Sequence, residues 1–172
     1  MTASEKEQLF LRLLEANKTQ IHRICWGFSK HSEEAEDLFQ EVLLLIWKGL
    51  GEYQGKSAIS TWVYRITVNT CLYWKKKKKK MPLDALQQTD ITSDSKNAEE
   101  QMIYDDKMDQ LKKAIQQLNE VDRTIALLLL ESVSYKEIAE ITGLTTSNVG
   151  VKISRIKKRI KEMLEGVGVR PF

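Results

Sequence analysis

A chain of 172 residues, 30% charged and 42% hydrophobic, has the balance of a soluble globular protein and room for one medium domain or two small ones. Two cysteines are too few for a disulfide framework and point to a reducing cytosol. The longest apolar runs, Val42–Trp47 and Ile125–Leu130, are too short to span a bilayer, which excludes membrane insertion.

The start, M-T-A-S-E-K-E, lacks an apolar signal segment, so the expected location is the cytoplasm. Two prolines and eight glycines favour helix almost throughout. The net charge of +3 hides strong segregation: five acids and no base over Glu33–Glu41, six lysines over Lys75–Lys80, and eight acids against two lysines over Asp84–Asp109. Blocks of alternating sign suggest separate surfaces for separate partners.

In chain order, Phe10, Leu14, Asn17, Ile21, Ile24 and Phe28 mark one helical stripe over about 4–29. Ser32 is the expected N-cap of the next helix, with acids favoured in its first turn. That helix, about 32–49, has a wide core face of Leu38, Val42 and Leu45 flanked by Phe39, Leu43, Ile46 and Leu50. Asp37, Gln40, Glu41, Leu44 and Lys48 form the opposite stripe. An acidic and amide stripe with an outward leucine suits a partner helix. A solvated amphipathic face is the other reading, and spacing alone leaves both open.

Gly49–Gly55 breaks the helix, and a third restarts near Ser57 or Ala58. It carries Ile59, Trp62, Val63, Ile66 and Thr70 on one face, with Tyr64, Arg65, Thr67 and Asn69 elsewhere. Tyr73 and Trp74 directly precede the lysine run that includes Lys75 and Lys76. Stacking aromatics beside phosphate-tracking lysines are what a single-strand DNA face requires. A solvated helix end favoured by the dipole is the bland reading of the lysines, and Trp62 reads equally as core anchor or contact. His22 and Cys25 lie one turn apart but lack a second ligand pair, so no metal site is expected, and the cysteine reads as a small buried apolar residue.

Met81-Pro82 stops this helix. Residues 83–98 are polar, acidic and without period, the pattern of a flexible linker or, alternatively, a nucleic-acid mimic for a partner's basic channel. Helical signals resume near Glu99, with Ile103, Met108, Leu111, Ile115 and Leu118 as a stripe. A turn follows at Asn119–Asp122, then a short apolar helix over Arg123–Leu130. Ser134 then caps a helix with Glu137 at the capping-box position.

Residues 134–161 read as a helix-turn-helix. Ala139 allows close crossing, Gly143 turns the chain and Val149 docks the second helix. From Leu144 to Lys161 there is no acid, while Lys152, Arg155, Lys157, Lys158, Arg159 and Lys161 supply six positive charges, the pattern of a helix laid against phosphate. An ordinary helical hairpin with a basic face is the alternative. Gly166 and Gly168 end the last helix before a loose tail. The expected fold is all-α: two small helical domains, 1–81 and 100–172, joined by a flexible acidic linker at 82–99.

In order and spacing these parts resemble the extracytoplasmic function (ECF, group IV) sigma factors of the sigma-70 family of bacterial RNA polymerase. A-E-D-L-F-Q-E-V-L-L-L-I-W is similar to the family's core-polymerase-binding helix, and I-S-T-W-V-Y-R-I-T-V-N to its promoter-melting helix. L-N-E-V-D-R-T-I-A-L-L-L-L-E-S-V-S-Y-K-E-I-A-E-I-T-G-L is similar to the domain that reads the upstream promoter element. The resemblance implies sigma region 2 in the first domain and region 4 in the second. It implies that Asp37, Gln40, Glu41, Leu44 and Trp47 meet or underlie the contact with the coiled coil of the β′ subunit, with the β flap as a further polymerase partner. Tyr53, Lys56, Ser60, Trp62, Tyr64, Arg65 and Asn69 would take the minus-10 element, a base flipped from the non-template strand being captured in a pocket, with Lys75 and Lys76 alongside. Ser147, Asn148, Val151, Lys152 and Arg155 would face the major groove of the minus-35 element, and Thr145, Lys157, Lys158 and Arg159 the phosphates. An anti-sigma factor is a further implied partner, and no cofactor is implied.

The chain departs from the family at Tyr73 and Lys76, where an aspartate and an arginine are usual, and at Gly150 and Val151 in the recognition helix, so the family's promoter consensus does not carry over. The expected function is a dissociable initiation factor, not an enzyme. No nucleophile–base pair, paired-carboxylate pocket or metal cluster is evident. A free repressor or activator would leave the acidic stripe without a task, and an RNA-binding or membrane-surface protein would leave the helix-turn-helix unexplained.

Overall fold

The computed structural model describes residues 1–80, 99–166 and 168, with side chains from residue 106 onward in the second stretch. The linker expected at 82–99 lies outside these residues except at Glu99, and the tail outside them except at Gly168. The described residues form seven helices: α1 (Ala3–Phe28), α2 (Ser32–Gly49), α3 (Ile59–Lys79), α4 (Glu99–Gln116), α5 (Glu120–Leu130), α6 (Tyr135–Thr142) and α7 (Thr146–Glu165). A short 3-10 turn, Leu50–Glu52, follows α2.

α1 opens with a capping box. The Thr2 hydroxyl accepts from the Glu5 amide at 3.2 Å, while the Glu5 carboxylate accepts from the Thr2 amide at 2.6 Å. Its buried stripe is Leu13, Asn17, Ile21, Ile24 and Phe28. Asn17 is tolerated there because its side-chain amide donates to the Leu13 carbonyl at 2.9 Å, leaving little polar surface unpaired. α2 packs Ala35, Leu38, Val42 and Ile46 inward. Two expectations need correcting in this helix. The N-cap is His31 rather than Ser32, and it makes no side-chain cap bond; the Glu34 carboxylate instead accepts from the Lys30 amide at 2.8 Å. Leu45 is 39% exposed, because the helical pitch carries the stripe from Val42 to Ile46 and leaves Leu45 about 60° to one side of Val42.

α3 is buried on more than its expected face. Val63 and Thr70 of that face are buried, with Val68 and Cys71, but Thr61, Tyr64 and Thr67 are buried too. The hydroxyls of Thr67 and Thr70 are satisfied locally, by the carbonyls of Val63 at 2.9 Å and Ile66 at 2.7 Å. Thr61 and Tyr64 are covered from outside the first domain, because α6 packs along α3.

In the second domain Asn119 caps α5, accepting from the Asp122 amide at 2.9 Å. Six consecutive residues of α5, Arg123–Leu128, are buried. A short helix that is apolar on nearly every side has to be covered on nearly every side, so α5 packs against α4, α6 and α7 in its own domain and α1 in the other. Arg123 is 4% exposed and donates to the carbonyls of Ile115 (3.3 Å), Gln116 and Leu118 (3.1 Å), collecting the C-terminal end of α4. α6 starts at Ser134, whose hydroxyl and the Glu137 carboxylate complete a capping box, and ends at Gly143. Gly143 sits at φ +74, a left-handed conformation that costs an L side chain about 1–2 kcal/mol. Thr145 caps α7, accepting from the Asn148 amide at 3.1 Å, and Val149, Ile153, Ile156, Ile160 and Leu164 form the buried stripe.

The two domains are seated on one another. The seam holds Gln116, whose side chain donates to the buried Ser29 carbonyl at 2.8 Å, and Lys112 over the Trp26 ring at 4.5 Å. Arg23 pairs with Glu131 at 3.4 Å and Lys79 with Glu120 at 3.1 Å. Leu127 fills the space at Gly27, where an added Cβ would lie 2.3 Å from its Cδ2.

Candidate nucleic-acid and partner interfaces

On α2 the side chains of Asp37, Gln40, Glu41 and Leu44 are exposed on one stripe, Leu44 to 50%. Two other acids of the block are engaged. Glu34 pairs with Lys78, and Glu36 lies 3.5 Å from His22. Among the described residues Asp37 and Glu41 have no ion-pair partner. Trp47 stands apart from the stripe. It packs edge-on to Phe10 at 5.3 Å with Lys6 over its ring at 4.6 Å, so it buttresses α1 against α2 beside the exposed row.

The loop after α2 is tied by the Tyr53 hydroxyl, which donates to the Ser57 carbonyl, and by the Tyr53 and Trp62 rings at 5.3 Å. Trp62 is half-buried and also covers Gly49, where an added Cβ would come within 3.1 Å of it. It is therefore the pillar of the loop as well as a partly open surface. Lys56 and Asn69 are exposed and Ser60 half-buried. Tyr64 and Arg65 are turned toward the second domain. Tyr64 is 8% exposed, and Arg65 donates to the Glu140 carbonyl at 3.3 Å. Burial raises the Tyr64 phenol above its ordinary range, and the nearby carboxylates of Glu131 and Glu137 push it further in the same direction.

At the end of α3, Tyr73 is 66% exposed, whereas Trp74 lies under the Lys78 ammonium at 4.9 Å. Burial, and secondarily the charge of Lys30, lowers the pKa of Lys78. Lys75 is half-buried and Lys76 exposed. The lysine run thus divides, with Lys78 and Lys79 held by Glu34 and Glu120. His22 and Cys25 do not converge: His22 is exposed against Phe39 and Glu36, while Cys25 is fully buried with its Sγ 4.0 Å from that of Cys71.

On α7 the face opposite the buried stripe carries Ser147, Asn148, Val151, Arg155, Lys158 and Arg159, all exposed, with Thr145 exposed at the cap. Lys157 is exposed on the flank. Lys152 is half-buried and pairs with Asp122 at 3.0 Å, joining α7 to the first turn of α5. Gly150 is half-buried, and an added Cβ there would lie 4.0 Å from the Tyr135 ring. An acid-free row of donors on a rigid helix, with a positive N-terminus at Thr145, has the chemistry of a groove reader.

Two residues with structural weight were not singled out from sequence. Arg123 had a usable signal, a lone charge inside an apolar helix, which demands buried acceptors. Thr61 had none, since its partner Glu137, at 3.1 Å, lies 76 residues away. The hydroxyl of Ser134, then its backbone N–H, and more weakly the Thr61 hydroxyl hold the Glu137 carboxyl below its usual range against the opposing effect of burial.

Among the described residues no helix is long and apolar enough to cross a membrane. Sigma-70 region 2 matches residues 13–81, and sigma-70 region 4 matches residues 108–160. The chain is 29% identical to the RNA polymerase sigma-H factor of Pseudomonas aeruginosa, covering 96% of each chain. It is 25% identical to the ECF RNA polymerase sigma factor SigM of Mycobacterium tuberculosis, covering 94% of this chain and 82% of that one. In fold it is similar to the sigma factor RpoE solved in complex with the anti-sigma factor NepR from Bartonella quintana. That match has a TM-score of 0.71 at 21% identity over 95% of this chain and 98% of the other. CnrH, solved with the cytosolic domain of CnrY, matches with a TM-score of 0.70 at 14% identity over 93% of this chain and 90% of the other. The chain belongs to the sigma-70 family, as an ECF sigma factor of transcription initiation.

Proposed function

We propose that the surfaces divide the work of initiation as follows. Asp37, Gln40, Glu41 and Leu44 dock on the coiled coil of the polymerase β′ subunit, with Trp47 holding the helix beneath them. Tyr53, Lys56, Ser60, Trp62, Tyr64, Arg65, Asn69, Lys75 and Lys76 take the minus-10 strand. Thr145, Ser147, Asn148, Val151, Lys152, Arg155, Lys158 and Arg159 take the minus-35 duplex, and the domain bearing them meets the β flap. The domain limits 1–81 and 100–172, with a tether at 82–99, belong to the same reading. The protein acts in the cytoplasm by binding and positioning, and the chemistry of RNA synthesis stays with the polymerase. An anti-sigma factor is a fitting regulator, because two relatives in fold were solved with such partners or with a second protein's cytosolic domain.

The observation that carries this reading is the exposed row on α2, whose acids Asp37 and Glu41 have no ion-pair partner among the described residues, while Glu34 and Glu36 of the same helix do. A protein that only bound DNA would gain nothing from an unneutralised acidic row beside its basic surfaces. The test is Asp37→Lys with Glu41→Lys. Both positions are exposed, so folding is expected to change by no more than about 0.5 kcal/mol, while pull-down by core polymerase and promoter-specific run-off transcription are lost. Undiminished core binding by the folded variant refutes the assignment.

A further inference from the structure

α7 carries one side chain that its amphipathic pattern does not explain. Val149, Ile153, Ile156, Ile160 and Leu164 are buried, whereas Val151 is 47% exposed. Among the described residues it is the one large apolar side chain that α7 leaves exposed. At about 100° per residue, Val151 lies about 160–180° round the helix from Val149, Ile153 and Ile160, on the side away from the core. Ser147 and Asn148 precede it by one turn and Ser154 and Arg155 follow it by one, all exposed and all within about 60° of it. Val151 is therefore the crest of the outer face. The positions on either side leave it uncovered, because Gly150 has no side chain and Lys152 turns its ammonium back to Asp122 of α5, 3.0 Å away. We propose that Val151 reads the C5-methyl group of a thymine in the major groove and so selects a base pair inside the upstream promoter element. This assignment rests on the reading of α7 as the minus-35 surface.

A residue at the crest of a helix laid in the major groove meets base edges rather than phosphates. Guanine, cytosine and adenine present only hydrogen-bonding groups there, at N7, O6, N4 and N6. An isopropyl group satisfies none of them, and pressing it against them removes their water without replacing it. Thymine adds a methyl group to its O4, the one apolar feature of the groove floor. Burying that methyl against the Val151 side chain is favourable and breaks no hydrogen bond. Asn148 and Arg155 stand about 4.5 and 6 Å along the helix axis on either side of Val151, one to two base steps of about 3.4 Å each. The thymine thus falls within the contacted site rather than at its end. A valine that is merely exposed gives no base preference at all.

The test uses the full-length chain assembled with core polymerase. A duplex selected from a random pool by that assembly is rebuilt with deoxyuridine in place of each thymidine in turn, which removes the methyl group and keeps the base pairing. Competition binding then compares the parent with Val151→Ser, and the thermal midpoint of each chain reports its fold. At one thymine of the upstream element the parent should lose about fourfold in affinity, the contribution of one buried methyl-sized group. Val151→Ser should bind the thymine duplex about fourfold more weakly than the parent and lose nothing further with deoxyuridine at that position. Thymines met by other residues, and any effect of the change on duplex shape, weaken both chains alike.

An upstream element in which no deoxyuridine weakens the parent overturns the proposal, as does equal sensitivity of parent and Val151→Ser at every position. The scan of the parent requires no substitution in the protein, so it decides even where the serine chain fails to fold. Either contrary result leaves α7 standing as a groove reader, because the assembly has still selected its duplex. An assembly that selects no upstream sequence removes the reading of α7 as the minus-35 surface, and the methyl contact with it.

Discussion

Replacing Arg123 by methionine tests how the second domain is held together. The side chain is buried and makes three charge-assisted bonds to the carbonyls at the end of α4. Ile115 keeps a second partner, the Leu118 amide at 3.1 Å, so its carbonyl is not orphaned by the change. The carbonyls of Gln116 and Leu118 lose the donor they have here, and each unsatisfied buried acceptor costs about 1–3 kcal/mol. Against this, methionine fills much of the volume and removes the cost of burying a guanidinium, a cost visible in the lowered pKa of Arg123 and in the one nitrogen, Nη1, left without a partner. The balance is a loss of about 2–3 kcal/mol, with the stem of the side chain conserved. Arg123→Lys should fall between, since one ammonium cannot span three carbonyls. Urea denaturation followed by circular dichroism measures the difference, and binding of duplex DNA should decline with the second domain while core-polymerase binding by α2 persists. A midpoint within about 0.5 kcal/mol of the parent would refute the account and mean that water satisfies these carbonyls as well as Arg123 does.

Lys158→Ala removes one exposed cation from the outer face of α7 and should lower the salt slope of duplex binding by about one with core binding unchanged; an unaltered slope would take Lys158 off the phosphate-facing surface. At Gly143 nothing lies within 4 Å of an added Cβ, so Gly143→Ala should cost only the left-handed backbone, about 1–2 kcal/mol. A loss of several kcal/mol in thermal unfolding would mean that the turn moves. For Glu137 the folded carboxyl titrates below its unfolded counterpart, so its contribution to stability is present above the unfolded value and is lost as pH falls through the folded one. Denaturation between neutral pH and the lower carboxylate range should therefore show a steeper acid loss in the parent than in Glu137→Gln. Glu131, raised chiefly by burial against the pull of Arg23, has the opposite sign and should stabilise relatively as it protonates.

Local order was written plainly in the chain. The capping box at Ser134 and Glu137, the left-handed Gly143, the buried Val149 and the stripe of α1 from Asn17 to Phe28 are all decided within a few residues, where helical period and terminal hydrogen bonds set the outcome. The acid row on α2 and the acid-free outer face of α7 were legible for the same reason, because charge on one side of a helix depends only on spacing. Leu45 and the cap at His31 mark the limit of such reading, a matter of one position around or along a helix. What only tertiary structure decided is which faces meet. Tyr64 and Thr61 are polar-tipped positions on the less apolar side of α3, and nothing within that helix says that α6 will cover them. Their burial comes from partners more than 70 residues away. A chain with a long acidic stretch between its halves reads as two tethered domains. The apolar circumference of α5 and the missing side chain at Gly27 bring them together, because buried area between distant segments has no local periodicity to announce it.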